Sequence, residues 1–101
     1  MPLSLHSRVV VSDDQVFTTV GEEAVILGLS DGVYYGLDPV GARIWALLAT
    51  PRRVTELVSA VVADFDVAPD RCGQDVLALL DSLVARGLIR EVPEGDDAPV
   101  P

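Results

Sequence analysis

The stretch Val25-Ile26-Leu27-Gly28-Leu29-Ser30-Asp31-Gly32-Val33-Tyr34-Tyr35-Gly36-Leu37-Asp38-Pro39-Val40-Gly41-Ala42-Arg43-Ile44-Trp45-Ala46-Leu47-Leu48 decides the fold. Its first residues complete a short apolar strand over 24–29. Asp31-Gly32 predicts a two-residue turn, because Asp and Gly tolerate the positive φ of a type I′ hairpin. Residues 33–37 are then the return strand. Asp38 stops the sheet and caps a helix, since its carboxylate can accept a bond from orphan backbone N–H groups. Pro39 fits the first helical position, where its missing N–H costs nothing. Over 39–49, Val40, Ile44, Leu47 and Leu48 share one helical face. Trp45 adds bulk beside them, and Thr50-Pro51 ends the helix.

Upstream, Val16-Phe17-Thr18-Thr19-Val20 is β-branched and aromatic and ends at Gly21-Glu22-Glu23. It supplies the first strand of a three-stranded antiparallel meander. Residues 7–11 read as a short extra strand or an extended arm, and both stay open. Downstream, Val54, Leu57, Val58, Val61, Val62 and Phe65 follow helical spacing, predicting a second helix over 54–65. Ala68-Pro69-Asp70 opens a third, which runs to Arg86, and Gly87 is placed as its left-handed terminator. Residues 88–92 are a short extended segment. The expected class is α+β: a three-stranded antiparallel β-meander followed by three α-helices, in one domain over 1–92. Residues 93–101 are Pro- and Asp-rich and are expected to be disordered.

The composition excludes much. The chain has 101 residues, seven Arg, no Lys and sixteen acids, for a net charge of −9, and half of it is apolar. That length suits a single domain with its own core. One Cys and one His cannot build an ordinary zinc site, and one Cys cannot form an internal disulfide. An acidic chain repels the phosphate backbone, so no nucleic-acid partner is expected. The opening Met1-Pro2-Leu3-Ser4-Leu5-His6-Ser7-Arg8 lacks a basic segment followed by an apolar run. No apolar run approaches the ~18 residues of a membrane span. The expectation is a soluble cytoplasmic protein with no membrane partner.

Two features stand out. The third strand of the meander, 33–37, is an edge without charge or Pro, and Gly36 leaves its backbone open to close approach. Natural edges are usually blunted or covered, so the residues alone favour a helix or the N-terminal arm lying over it. Left bare, it is a template for an added strand. The other feature is the third helix. With Val76 as reference, Leu79, Cys72 and Leu83 lie to one side, and Leu80, Val84 and Leu77 to the other. This arc of about 160° exceeds the ~100° that one packed stripe requires. The surplus either packs on a larger core or leaves an apolar wall for a ligand. Asp75 and Arg86 border the Leu79 side.

Catalysis finds little support. A nucleophile needs an adjacent base that a third group orients. His6 lies near the N-terminus, and Cys72 sits on an apolar helix face, where an inert, buried thiol is the commoner case. The paired acids Asp13-Asp14, Glu22-Glu23 and Asp96-Asp97 read as solvated turns and tail. The glycines match no phosphate-binding loop. The tandem of the second and third helices followed by an extended segment resembles a winged helix-turn-helix. A DNA-reading helix needs groove-facing cations or amides, and from 70 to 86 Arg71, Gln74 and Arg86 stand against Asp70, Asp75 and Asp81.

The turn with Gly, the aromatic strand Tyr34-Tyr35-Gly36-Leu37 and Gly41-Ala42-Arg43-Ile44-Trp45-Ala46-Leu47-Leu48 resemble the PqqD-like family. These are RiPP recognition elements, which bind the leader peptides of ribosomally made natural products. The family commonly has Asn where this chain has Asp38; both residues cap helices. The likeness extends over about residues 7–92 and is greatest to small stand-alone members of lasso-peptide clusters. It implies a non-catalytic adaptor without cofactor or metal. The leader would add as a strand to the third strand, in a groove shared with the third helix. This reverses the expectation of a covered edge. The implied site comprises the backbone of Val33, Tyr34, Tyr35, Gly36 and Leu37, and side-chain pockets from Tyr34, Val76, Leu79 and Leu83. Arg71, Asp75 and Arg86 would pair with leader charges. Ile44 and Trp45 are expected in the core. The implied partners are the precursor leader peptide, a separate leader peptidase and a macrolactam-forming cyclase. A bare edge also permits pairing with a second copy. The alternatives are a winged-helix transcription regulator, and a small enzyme subunit or structural chaperone without leader specificity.

Overall fold

The computed structural model describes residues 3–93, so all but the first residue of the expected tail lies outside the described residues. In chain order the elements are β1 (Arg8–Val11), β2 (Gln15–Val20), β3 (Glu23–Gly28), β4 (Tyr34–Leu37), α1 (Pro39–Leu47), β5 (Arg52–Arg53), α2 (Val54–Asp64), α3 (Pro69–Ala85) and β6 (Ile89–Val92). The expected meander is β2-β3-β4, fully antiparallel, with β4 on its edge. The three helices follow it, as the patterning predicts.

The turn between β3 and β4 differs from the expected one. No non-glycine residue has positive φ, so Asp31 does not adopt the type I′ conformation. A longer loop, 29–33, joins the strands, and at its base the Gly28 N–H donates to the Val33 carbonyl at 3.0 Å. Gly32 alone is left-handed there, at φ 69°. Asp31 uses its carboxylate instead, accepting from the Val33 N–H at 3.0 Å. That local bond gives Asp an alternative to positive φ. Val33 belongs to this loop, and the strand starts at Tyr34.

Asp38 caps α1 as expected, its carboxylate accepting from the Gly41 N–H at 2.8 Å. The helix stops at Leu47, two residues before the expected end, where the Leu48 N–H turns back to the Ile44 and Trp45 carbonyls. At the end of α3, Gly87 (φ 73°) is left-handed as predicted. Its N–H donates to Val84 and that of Leu88 to Leu83, the paired bonds of a Schellman terminator. The chain is thereby turned back into β6.

A second sheet was not foreseen as such. β1 lies between β5 and β6, antiparallel to each, with Arg8 opposite both Arg53 and Val92. The extra strand left open at 7–11 therefore joins the segment after α3 rather than the meander. Val9, Val92 and Ile89 are buried by this pairing. The core runs between the sheets and helices through Ile26, Ile44, Leu48, Leu57, Leu80 and Leu83, each almost fully inaccessible. Trp45 is buried there and meets Phe17 edge-to-face, with ring centroids 5.8 Å apart.

Candidate functional site

Along β4 the side chains alternate between two faces. Leu37 and Tyr35 point inward, opposite Ala24 and Ile26 of β3, and Leu37 is buried. Tyr34 and Gly36 belong to the outer face. The hydrogen-bond phase follows from the turn. Gly28 bonds to Val33, and bonded and non-bonded pairs alternate in an antiparallel ladder. Tyr35 and Leu37 therefore exchange bonds with β3. The backbone groups of Tyr34 and Gly36 point away from it. β3 keeps the same alternation on its other side, where Leu29 donates to Asp14 of the neighbouring chain segment. No element among the described residues pairs with the outer edge of β4. The edge is bare.

Beside that edge lies a cleft of about 400 Å³. One wall is Tyr35, Gly36 and Leu37 of β4, continued by Asp38 and the first turns of α1. The opposite wall is the α3 stripe Arg71, Cys72, Asp75, Val76 and Leu79, which recurs at helical spacing on one face. Ile44 and Val61 form the floor. Val76 is buried and Leu79 half-buried, so the surplus apolar width of α3 is divided: part enters the core and the Leu79 margin borders the cleft.

Seven predicted residues line the cleft together: Tyr35, Gly36, Leu37, Arg71, Asp75, Val76 and Leu79. Four do not. Val33 is in the loop. Tyr34 projects its ring to the outer face beside Val16 and Leu27, so it forms no pocket on the cleft side. Leu83 is 1% exposed and belongs to the core. Arg86 lies beyond the cleft, its guanidinium 5.1 Å from the centroid of the Tyr35 ring. The Tyr35 hydroxyl is 3.3 Å from the Ser82 hydroxyl, which joins β4 to α3 at that end. Ile44 and Trp45 are core residues as expected, although Ile44 also contributes to the cleft floor. Sequence reasoning missed Val40, Gly41 and Val67, and it did not place Asp38, Val61 or Cys72 in the site. The first two could be inferred from the Asp38 cap, which points the start of α1 at the strand it follows. Val67, exposed in the α2–α3 connection, carries no local signal.

The charges at the rim are partly self-neutralised. Arg71 donates to Asp75 one helical turn away, at 3.3 Å, in an exposed pair of little energetic weight. Burial, and secondarily the negative charge of Asp75, push the Cys72 thiol above its ordinary value. A thiol held protonated is a poor nucleophile. Among the described residues no three His, Cys, Asp or Glu side chains converge as metal ligands do. No helix there is long and apolar enough to cross a membrane.

The family model for coenzyme PQQ synthesis protein D (PqqD) matches residues 23–89. This chain belongs to the PqqD family. The match runs from β3 to the start of β6 and so includes both walls of the cleft. Among solved structures, TbiB1 in complex with the TbiA(beta) leader peptide is similar, at 33% identity and a TM-score of 0.74. The similarity covers 84% of this chain and 99% of that one. No curated protein matches the chain. The PqqD fold explains why the meander and the three helices come in this order. The second sheet ties the segment before the meander to the segment after α3, and β1 and most of β6 lie outside the matched residues.

Proposed function

We propose that this PqqD-family chain is a RiPP recognition element that binds the leader of a ribosomally made precursor peptide. The leader adds as a strand to the outer edge of β4 and sends alternate side chains into the cleft. The observation that carries this reading is the juxtaposition of a bare strand edge with an apolar cleft directly beside it. Backbone groups of Tyr34 and Gly36 would bond to any sequence, and the cleft walls would select among side chains. The leader-bound state of TbiB1 supports the reading.

The finer parts rest on the sequence resemblance. The precursor is of the lasso type, and the bound leader is presented to a separate peptidase and to a cyclase. The chain itself acts by binding and not by catalysis. The buried Cys72, its thiol pushed toward the protonated form, supports that. Nothing in the geometry favours a DNA reader: the exposed side of α3 carries Arg71 already paired to Asp75. The test is titration of a labelled leader, taken from the precursor gene beside this one, by fluorescence anisotropy. Saturable binding is expected, and its absence with folded protein would sink the reading.

A further inference from the structure

The groove between β4 and α3 runs on past the cleft. On α3 the cleft-facing stripe of Asp75 and Leu79 continues at helical spacing through Ser82 to Arg86. The Ser82 hydroxyl meets that of Tyr35, and the Arg86 guanidinium lies over the Tyr35 ring, 5.1 Å from its centroid. Just after Arg86, Leu88 packs beside Gly28, where an added Cβ would lie 3.5 Å from it. Gly28 is the residue whose N–H bonds to Val33. Arg86 therefore stands at the turn end of β4, and the first turns of α3 lie toward α1.

The charges along this groove are unequal. Arg71 is paired with Asp75, and the Asp38 carboxylate is bonded to the Gly41 N–H. Arg86 is exposed and has no acidic partner among the described residues. It is the groove's one unneutralised cation there. The ring of Tyr35 and the negative end of the α3 dipole both favour a cation at this place. A guanidinium already laid on a ring loses less freedom when it takes a partner.

An added strand has its own alternation. Its inward side chains stand opposite Tyr35 and Leu37, beside the cleft. The next inward side chain, two residues beyond the one opposite Tyr35, comes to Arg86. A carboxylate there can accept two guanidinium N–H groups at once. A slip of the strand by two residues carries that carboxylate off Arg86 and toward Asp75 and Asp38. The pair would thus fix the register, which so short an edge leaves weakly specified.

We propose that Arg86 anchors an acidic side chain of the bound leader. The groove then selects an apolar residue in the cleft with Asp or Glu two or four residues from it, toward the turn end. This inference rests on the leader-binding reading and narrows the class of peptide that the site takes.

The test is anisotropy titration of the full chain with the leader of the neighbouring precursor gene. Arg86→Gln should weaken the leader about threefold to tenfold. Rising salt should weaken the wild type more than this variant. Arg71→Gln should stay within about twofold, because that charge is already paired. Each leader Asp and Glu is replaced in turn by Asn or Gln. One replacement should reproduce the loss in the wild type and cost nothing further in Arg86→Gln. Arg86→Glu should bind more weakly still, and Lys at the coupled leader position should restore part of the affinity. Saturable wild-type binding that Arg86→Gln leaves within about twofold overturns the proposal and spares the leader reading. So does coupling to no leader acid, or only to one outside the stated spacing. No saturable binding by the folded wild type overturns the leader reading, and the proposal with it.

Discussion

The two sheets of this small domain have equal strand number and opposite roles. The sheet β5-β1-β6 draws together residues some eighty positions apart, pairing Arg8 with Val92. Its central strand is bonded on both sides, and Val9 in it is fully inaccessible. It also carries Arg8, Arg52, Arg53 and Arg90. The meander β2-β3-β4 is assembled from neighbours in sequence, has no basic residue and leaves an edge and a face unused. One sheet closes the chain, and the other is held open by what the first secures. On the proposed reading, stability and recognition fall to different strands, and substitution can separate them.

The same substitution in each sheet gives the sharpest contrast. Val9→Pro puts a residue without an N–H at a position paired to both Arg52 and Glu91. It should destabilise the domain by about 3 kcal/mol or more, read as the urea midpoint. Gly36→Pro removes an N–H that points away from β3, so the midpoint should move little. Leader affinity should fall by about 1–3 kcal/mol, because the incoming strand loses a partner and leaves its own carbonyl unsatisfied. Equal loss of stability in the two variants would erase the distinction between the sheets.

A smaller effect is expected on the opposite wall. Leu79 is half-buried and lines the cleft. Leu79→Ala should weaken the leader by about 1–2 kcal/mol, with a smaller change in unfolding free energy. Calorimetric titration beside thermal unfolding compares the two. Smallest is Asp75→Asn. The exposed Arg71–Asp75 pair contributes less than about 1 kcal/mol, so stability should hardly change. The thiol of Cys72 should shift down part of the way, since burial, the larger cause, remains. The pH dependence of iodoacetamide labelling measures this. Because the folded-state value is raised, Cys72 favours the fold at neutral pH. That contribution fades as pH rises past the ordinary value of 9.0.

The meander was legible because its strands are local and its helices carry strong periodicity. The error at the turn did little harm. A two-residue turn at Asp31-Gly32 shifts the β3–β4 pairing by two positions, and a shift of two keeps every side chain on its face. The cleft was legible as a surplus of apolar width on α3. Dividing that width was not: Leu79 lines the cleft and Leu83 enters the core, a division set by tertiary packing that helical spacing does not report. Tyr34 and Tyr35 are adjacent aromatics on opposite faces, and no composition rule says which faces inward. The closing sheet depended on pairing short segments across the whole chain, which no local window reports.

The phase of β4 has one more consequence. Two outward residues, each with one N–H and one carbonyl, offer an added strand four backbone bonds. At about 0.5–1.5 kcal/mol net apiece, these hold a peptide only loosely without help from its side chains. The edge works as a short ruler with two marks. It aligns a guest before it grips it, and a guest so aligned can slide off as readily as it came, which suits the hand-over proposed above.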